Sequence, residues 1–210
     1  MKMSSPTPYH FFIFDLGRVL LDFDFSLAQR VLEKHHGVPA DRMRIVLEDV
    51  QLLHDWDRGV MTSRQFYQKL CRAFGLDLPM PEMRTIWNEI FTEKKEMIQL
   101  ARRILRKKNA VILSNINPWH ADYIRQQYAW VLEFKEFITS CDLNMRKPDP
   151  EIYRWAMKKH GAKPEHTLYF DDIAEFVQSA RQVGIDGILF KDHARLAAEL
   201  KKRGLEDFLS

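Results

Sequence analysis

The sequence predicts an α/β fold: a parallel sheet with helices on both faces and a small helical domain inserted after the first strand. Short apolar runs at 11–14, 110–113, 167–170 and 187–190 alternate with helical segments near 118–128, 149–160 and 173–183. That alternation argues for a parallel sheet covered on both sides. Between residues 22 and about 94 the rhythm breaks. Amphipathic helical patterns at 26–36, 40–55, 63–74 and 82–94 follow one another there with no convincing strand. Third, most of the apolar runs end in polar groups, and open α/β sheets bind ligands beyond the carboxyl ends of their strands. The expected division is a core of 1–20 and 95–210 around an inserted domain of 21–94.

Taken in order, Phe11-Phe12-Ile13-Phe14 is unbroken in its apolar character, as a strand buried on both faces requires. It delivers Asp15 into a Leu16-Gly17 turn. Within the insertion, Thr62 and Gln65 form a capping box opening the 63–74 helix. Leu76-Asp77-Leu78-Pro79, with Pro81, separates that helix from the next. The core resumes near residue 96. The basic stretch 102–108 keeps Ile104 and Leu105 at helical spacing and reads as a solvated helix face. Asn117-Pro118 and Asp149-Pro150 each read as an N-cap with proline at the first helical position. Gly161 and Gly184 fall where helices should stop. Residues 136–140 form a weaker strand candidate.

The chain has 210 residues, 46% of them hydrophobic and 12% aromatic, enough to bury a sizeable core and to exclude a disordered class. A formal charge of +3, without interleaved aromatic and basic residues, gives no footprint for nucleic acid. Cys71 and Cys141 stand far apart, so no disulfide framework is expected. Residues 1–8 lack the apolar segment of a signal peptide, and no stretch reaches membrane-spanning length. A reducing cytoplasm is the default expectation, and oligomeric state is not legible.

Four segments carry the chemistry: Phe14-Asp15-Leu16-Gly17-Arg18-Val19-Leu20, Leu113-Ser114-Asn115, Arg146-Lys147-Pro148-Asp149-Pro150-Glu151-Ile152-Tyr153 and Tyr169-Phe170-Asp171-Asp172. Each alone is weak. In this order and spacing they resemble the four signatures of the haloacid dehalogenase-like hydrolase superfamily, across the whole chain and with a helical cap inserted after the first. The wording is similar to the bacterial glucose-1-phosphate phosphatase branch. The resemblance implies a Rossmann-like core and a Mg²⁺-dependent phosphatase of a small phosphorylated metabolite, such as a sugar phosphate.

The residue chemistry agrees. Asp15 suits a nucleophile that forms an aspartyl-phosphate; the plainer role is an Asp closing a turn. Backbone amides at Leu16 and Gly17 can cradle phosphate oxygens. Ser114 and Asn115 follow a strand and can hydrogen-bond a phosphoryl group, with Asn117 left to cap the next helix. Lys147, biased away from helix by Pro148, can reach both Asp15 and phosphate. Asp15, Asp171 and Asp172 with a phosphate dianion sum to about −5, against +1 from Lys147, an imbalance that would force protonation without a cation. A hard divalent ion with oxygen ligands fits. The resemblance places Mg²⁺ on Asp15, the Gly17 carbonyl and Asp172, with Asp171 a direct or outer partner.

One position departs from the signature. Where phosphatases of this type carry a second aspartate as general acid, this chain has Gly17. That speaks against a phosphomutase and leaves the proton donor open. Arg18 reads chiefly as a cap or surface contact. In the insertion, His54, Asp55, Trp56, Asp57 and Arg58 precede Gly59 and either face the site or form a solvated helix end with Trp56 in the core. Trp119 and His120 are open between pocket and core. The competing functions are a haloacid dehalogenase, which needs no metal and so no Asp171-Asp172 pair, and a binding or regulatory protein that has lost its acid.

Overall fold

The computed structural model describes residues 8–209; the expectation for residues 1–7 lies outside that range. Strand β1 (Phe11–Phe14) is followed by β2 (Leu21–Phe23), helices α1 (Ser26–His36), α2 (Ala40–Glu48), α3 (Val50–Asp57), α4 (Ser63–Phe74) and α5 (Met80–Asn88), and β3 (Phe91–Glu93). The chain then alternates through α6 (Lys95–Leu105), β4 (Asn109–Ser114), α7 (Pro118–Gln127), β5 (Phe137–Thr139), the short α8 (Ser140–Leu143), α9 (Pro150–His160), β6 (Thr167–Asp171), α10 (Ala174–Gln182), β7 (Asp186–Leu189) and α11 (His193–Lys202).

The main sheet has the order β5-β4-β1-β6-β7, and its pairings are parallel. Strand β1 is central, with Phe14 beside Ile112 of β4 and Phe170 of β6. Its unbroken apolar run has a direct cause. Phe12 and Phe14 enter one hydrophobic cluster with Ile112 and Phe170, while Phe11 and Ile13 enter another with Val111 and Tyr169. Alternate side chains point to opposite faces, and both faces are covered.

The helix punctuation is as expected. Asn117 Oδ1 accepts from the His120 amide at 3.0 Å, and Asp149 Oδ1 from the Glu151 amide at 3.0 Å. Both arms of the Thr62–Gln65 capping box form. Gly161 closes α9 in the left-handed region.

Three expectations for the insertion need correction. It is not free of strands: β2 and β3 pair antiparallel, Leu21 with Glu93 and Phe23 with Phe91, tying its entry to its exit. The 40–55 helix is two helices, because Asp49 leaves helical geometry and its side chain caps Leu52 N at 3.0 Å. The 82–94 helix runs instead from Met80 to Asn88, after which the chain turns into β3. The helices enclose their own cluster around Trp56, Phe66, Leu70 and Trp87, which also takes in Trp119 of α7.

Candidate active site

Three adjacent strands end together, so their terminal side chains meet. Asp15 leaves β1 with its amide bonded to the Phe170 carbonyl at 2.8 Å. Asp171 closes β6, and Ser114 closes β4. Lys147, only 1% exposed, donates from Nζ to Asp15 Oδ1 and to Asp171 Oδ2, both at 2.7 Å. Pairing makes its burial tolerable. Burial pulls the ammonium down, but the Asp15 and Asp171 carboxylates outweigh it and hold Lys147 protonated above its usual range.

Asn115 has a positioning task beyond the one read from sequence. Its Nδ2 donates to the Lys147 carbonyl and its Oδ1 accepts from the Lys147 amide, each at 2.8 Å. That clamp fixes where the ammonium enters. Asp171 is also anchored: the Ile173 amide donates to Oδ1 at 2.8 Å and the Tyr169 hydroxyl donates to Oδ2. Tyr169 was legible only as a strand residue, because nothing in an apolar run distinguishes a phenol that packs from one that also orients a carboxylate.

Carboxylate oxygens of Asp15, Asp171 and Asp172 lie within 4.8 Å of one another. Burial pushes the Asp15 carboxyl up to about 7; the Lys147 ammonium opposes the rise and Asp171 adds to it. Asp172 is likewise raised, by burial and then by Asp171. One lysine therefore leaves negative charge unmet, and the donors are hard oxygens, so the cluster suits a divalent cation such as Mg²⁺.

Beside the cluster lies a cavity of about 170 Å³. Leu16, Gly17, Ser114 and Asn115 form its core-side wall. Phe23, Phe25, Leu53, Trp87 and Phe91 form much of the rest, and Asp57 and His120 also reach it. Burial drives the Asp57 carboxyl up to about 7, against the Arg146 guanidinium and a hydrogen bond from Asn117. Burial pulls the His120 imidazole down to about 4, although its bond to the Trp87 carbonyl favours the proton.

The remaining candidates fall elsewhere. His54 faces Arg146, with Nδ1 3.3 Å from Nη1. Trp56 and Trp119 are buried and meet edge to face at 5.2 Å. Arg18, at φ 59°, lies over the Phe23 ring at 4.3 Å and pairs with Asp22 at 3.5 Å, a surface contact.

One lysine and three carboxylates thus gather at the carboxyl edge of a parallel α/β sheet, where such folds bind their ligands. Residues 10–184 match the haloacid dehalogenase-like hydrolase model, and the chain belongs to that family. It is 24% identical over 185 residues to a D-ribitol-5-phosphate phosphatase of Bacteroides thetaiotaomicron, covering 83% of this chain and 88% of that one. It is 26% identical over 195 residues to a sesquiterpene phosphatase of Aspergillus oryzae, covering 90% and 94%. Similarity to the bifunctional epoxide hydrolase 2 of Rattus norvegicus is 30% over 148 residues, 64% of this chain, which spans only 26% of that protein's length. In fold it is similar to a HAD family enzyme of Bacteroides thetaiotaomicron solved with magnesium and inorganic phosphate, at TM-score 0.73 and 19% identity over 90% of this chain and 98% of that one. Among the described residues no helix is long and apolar enough to cross a membrane.

Proposed function

We propose that the chain is a Mg²⁺-dependent phosphomonoesterase that transfers the phosphoryl group of a small metabolite to Asp15 and then to water. The observation that carries this reading is the buried Lys147 ammonium bridging Asp15 and Asp171, with Asp172 alongside. In this reading Asp15, held by Lys147 and by the Leu16 amide, attacks phosphorus and forms the aspartyl-phosphate. Ser114, Lys147 and the backbone at Leu16 and Gly17 steady the phosphoryl oxygens, and Asn115 holds Lys147 in reach. Mg²⁺ would sit on Asp15, the Gly17 carbonyl and Asp172, with Asp171 adjoining, and would neutralise charge on the transferring group. A dehalogenase needs no such cation, so three clustered carboxylates favour the phosphatase.

Residues 21–94 act as the cap and select the leaving group. The two phosphatase relatives, one named for ribitol 5-phosphate and one for a sesquiterpene, bracket the choice. A hexose such as that of glucose 1-phosphate would bring several hydroxyls against a wall of Phe23, Phe25, Trp87 and Phe91, which offers them few partners. The wall favours aryl and alkyl or prenyl phosphates. A reducing cytoplasm would keep Cys71 and Cys141 as the free thiols they are here.

The test is phosphate release from a panel spanning aryl, prenyl, polyol and sugar phosphates, with Mg²⁺ and with EDTA. We expect turnover only with the metal, apolar esters ahead of glucose 1-phosphate, and a loss of at least about 10³-fold in Asp15→Asn. Sustained turnover by Asp15→Asn in EDTA would sink the mechanism.

A further inference from the structure

Gly17 leaves the core side of the cavity without an acid, and a side chain there would press on Phe23. A Cβ at Gly17 would stand 3.2 Å from Phe23 Cε1. Among the residues lining the cavity, the titratable side chains are Asp57 and His120.

His120 is spent. Its Nε2 faces the Trp87 carbonyl at 3.1 Å and its Nδ1 faces Asn117 Nδ2 at 2.9 Å, so the ring donates to the first and accepts from the second. It has no free N–H to give. Asp57 differs in both respects. It reaches the cavity from the end of α3, and its segment is docked onto the core. The Ser140 hydroxyl, itself fully buried, donates to the Asp57 carbonyl at 2.5 Å. Two residues on, Gly59 at φ 72° passes so close to α8 that a Cβ there would lie 2.6 Å from the Cys141 carbonyl. Trp56, just before, meets Trp119 of α7. A backbone fixed from both sides in this way holds the base of the Asp57 side chain over the core wall, as proton transfer in a transition state demands.

We infer that Asp57, presented by the insertion, is the general acid and base of this active site. The inference rests on the phosphatase reading. In the first half-reaction an Asp15 oxygen bonds to phosphorus as the P–O bond to the leaving group breaks. The electron pair goes to the leaving oxygen, which takes the proton from the Asp57 carboxyl. In the second, the Asp57 carboxylate takes a proton from water as the water oxygen bonds to phosphorus. The bond to Asp15 then breaks and its electron pair returns to the Asp15 carboxylate, releasing inorganic phosphate. The surroundings of Asp57 suit both halves. Burial keeps a large share of the carboxyl protonated near neutral pH, while Arg146 and Asn117 support the carboxylate once the proton has left.

The test is kcat/KM of wild type, Asp57→Asn and Asp57→Glu on aryl and alkyl phosphates of graded leaving-group pKa, with Asp15→Asn as control. General acid catalysis is worth about 10²–10⁴-fold. Asp57→Asn should lose that much on alkyl phosphates and about tenfold or less on 2,4-dinitrophenyl phosphate, whose leaving group needs no proton. Asp57→Glu should recover part of the alkyl activity. A similar loss on every ester, or none on any, overturns the role of Asp57. If that occurs while wild type turns over through Asp15, the phosphatase reading survives. Absence of any wild-type phosphate release overturns both.

Discussion

Asp57 shows how a residue can be placed at a cost to stability. Its carboxyl is raised by burial to about 7, well above the unfolded value of about 3.9. Below pH 4 it is neutral in both states and costs nothing. Between about 4 and 7 the folded state binds the extra proton, so stability falls as pH rises. Above 7 the folded carboxylate is ionised in a poor environment and the full penalty stands. Asp57→Asn should therefore be more stable than wild type at pH 8, by about 1–3 kcal/mol once residual solvent contact along the cavity is allowed for, and equal to it near pH 4. Chemical denaturation at the two pH values measures this, and a wild type more stable than the variant at pH 8 would refute it. Such a gain accompanying a loss of turnover is the signature of a functional group rather than a packing one.

At the scale of elements, the parts read from sequence are those whose signal is local. Strands β1, β4, β6 and β7 announce themselves as apolar runs, and the Asn117 and Asp149 caps by a polar residue before proline. Strands β2 and β3 do not, because three residues are too few for a period and each needs a partner about seventy positions away. The site followed the same rule. Asp15, Ser114, Lys147 and Asp171 lie at strand ends or before a proline, whereas the outcome for Asp57 depended on α8, a four-residue turn that no pattern marks. That docking predicts its own phenotype. Ser140→Ala removes the hydroxyl that donates to the Asp57 carbonyl and accepts from the Ile116 amide at 2.9 Å. It should lower stability by about 1–3 kcal/mol, since buried polar partners are left unpaired. Because it loosens the segment that presents Asp57, it should slow alkyl phosphates more than aryl ones, in the same sense as Asp57→Asn but by a smaller factor. Equal slowing of every ester in Ser140→Ala would show that this hydroxyl does not position the Asp57 carboxyl.

Across the whole molecule, insertion and core are joined by groups that only a dry interface can support. Trp119 of α7 sits in the insertion's aromatic cluster, and beside it His120 reaches across to the Trp87 carbonyl at 3.1 Å. The imidazole is packed edge-on against Phe91 at 4.9 Å and stacked near Trp87. Burial accordingly lowers its pKa to about 4. The unfolded chain takes up this proton as pH falls through about 6.5, and the folded chain only near 4, so this group's contribution to stability is whole above 6.5 and is lost on acidification across that window. At about 1.4 kcal/mol per pH unit the loss approaches 3 kcal/mol by pH 4. The raised carboxyls of Asp15 and Asp57 act in the opposite sense between about 4 and 7, so the net wild-type curve cannot isolate the histidine. The difference between two proteins can. His120→Gln keeps an N–H for the Trp87 carbonyl but does not titrate. It should cost little at pH 5 relative to its cost at pH 7.5, with the stability gap to wild type narrowing or reversing as pH falls. Denaturation curves for the two proteins that stay parallel from pH 7.5 to 4.5 would mean that His120 is not held neutral by the fold, and that the joint between insertion and core is wetter than its packing indicates.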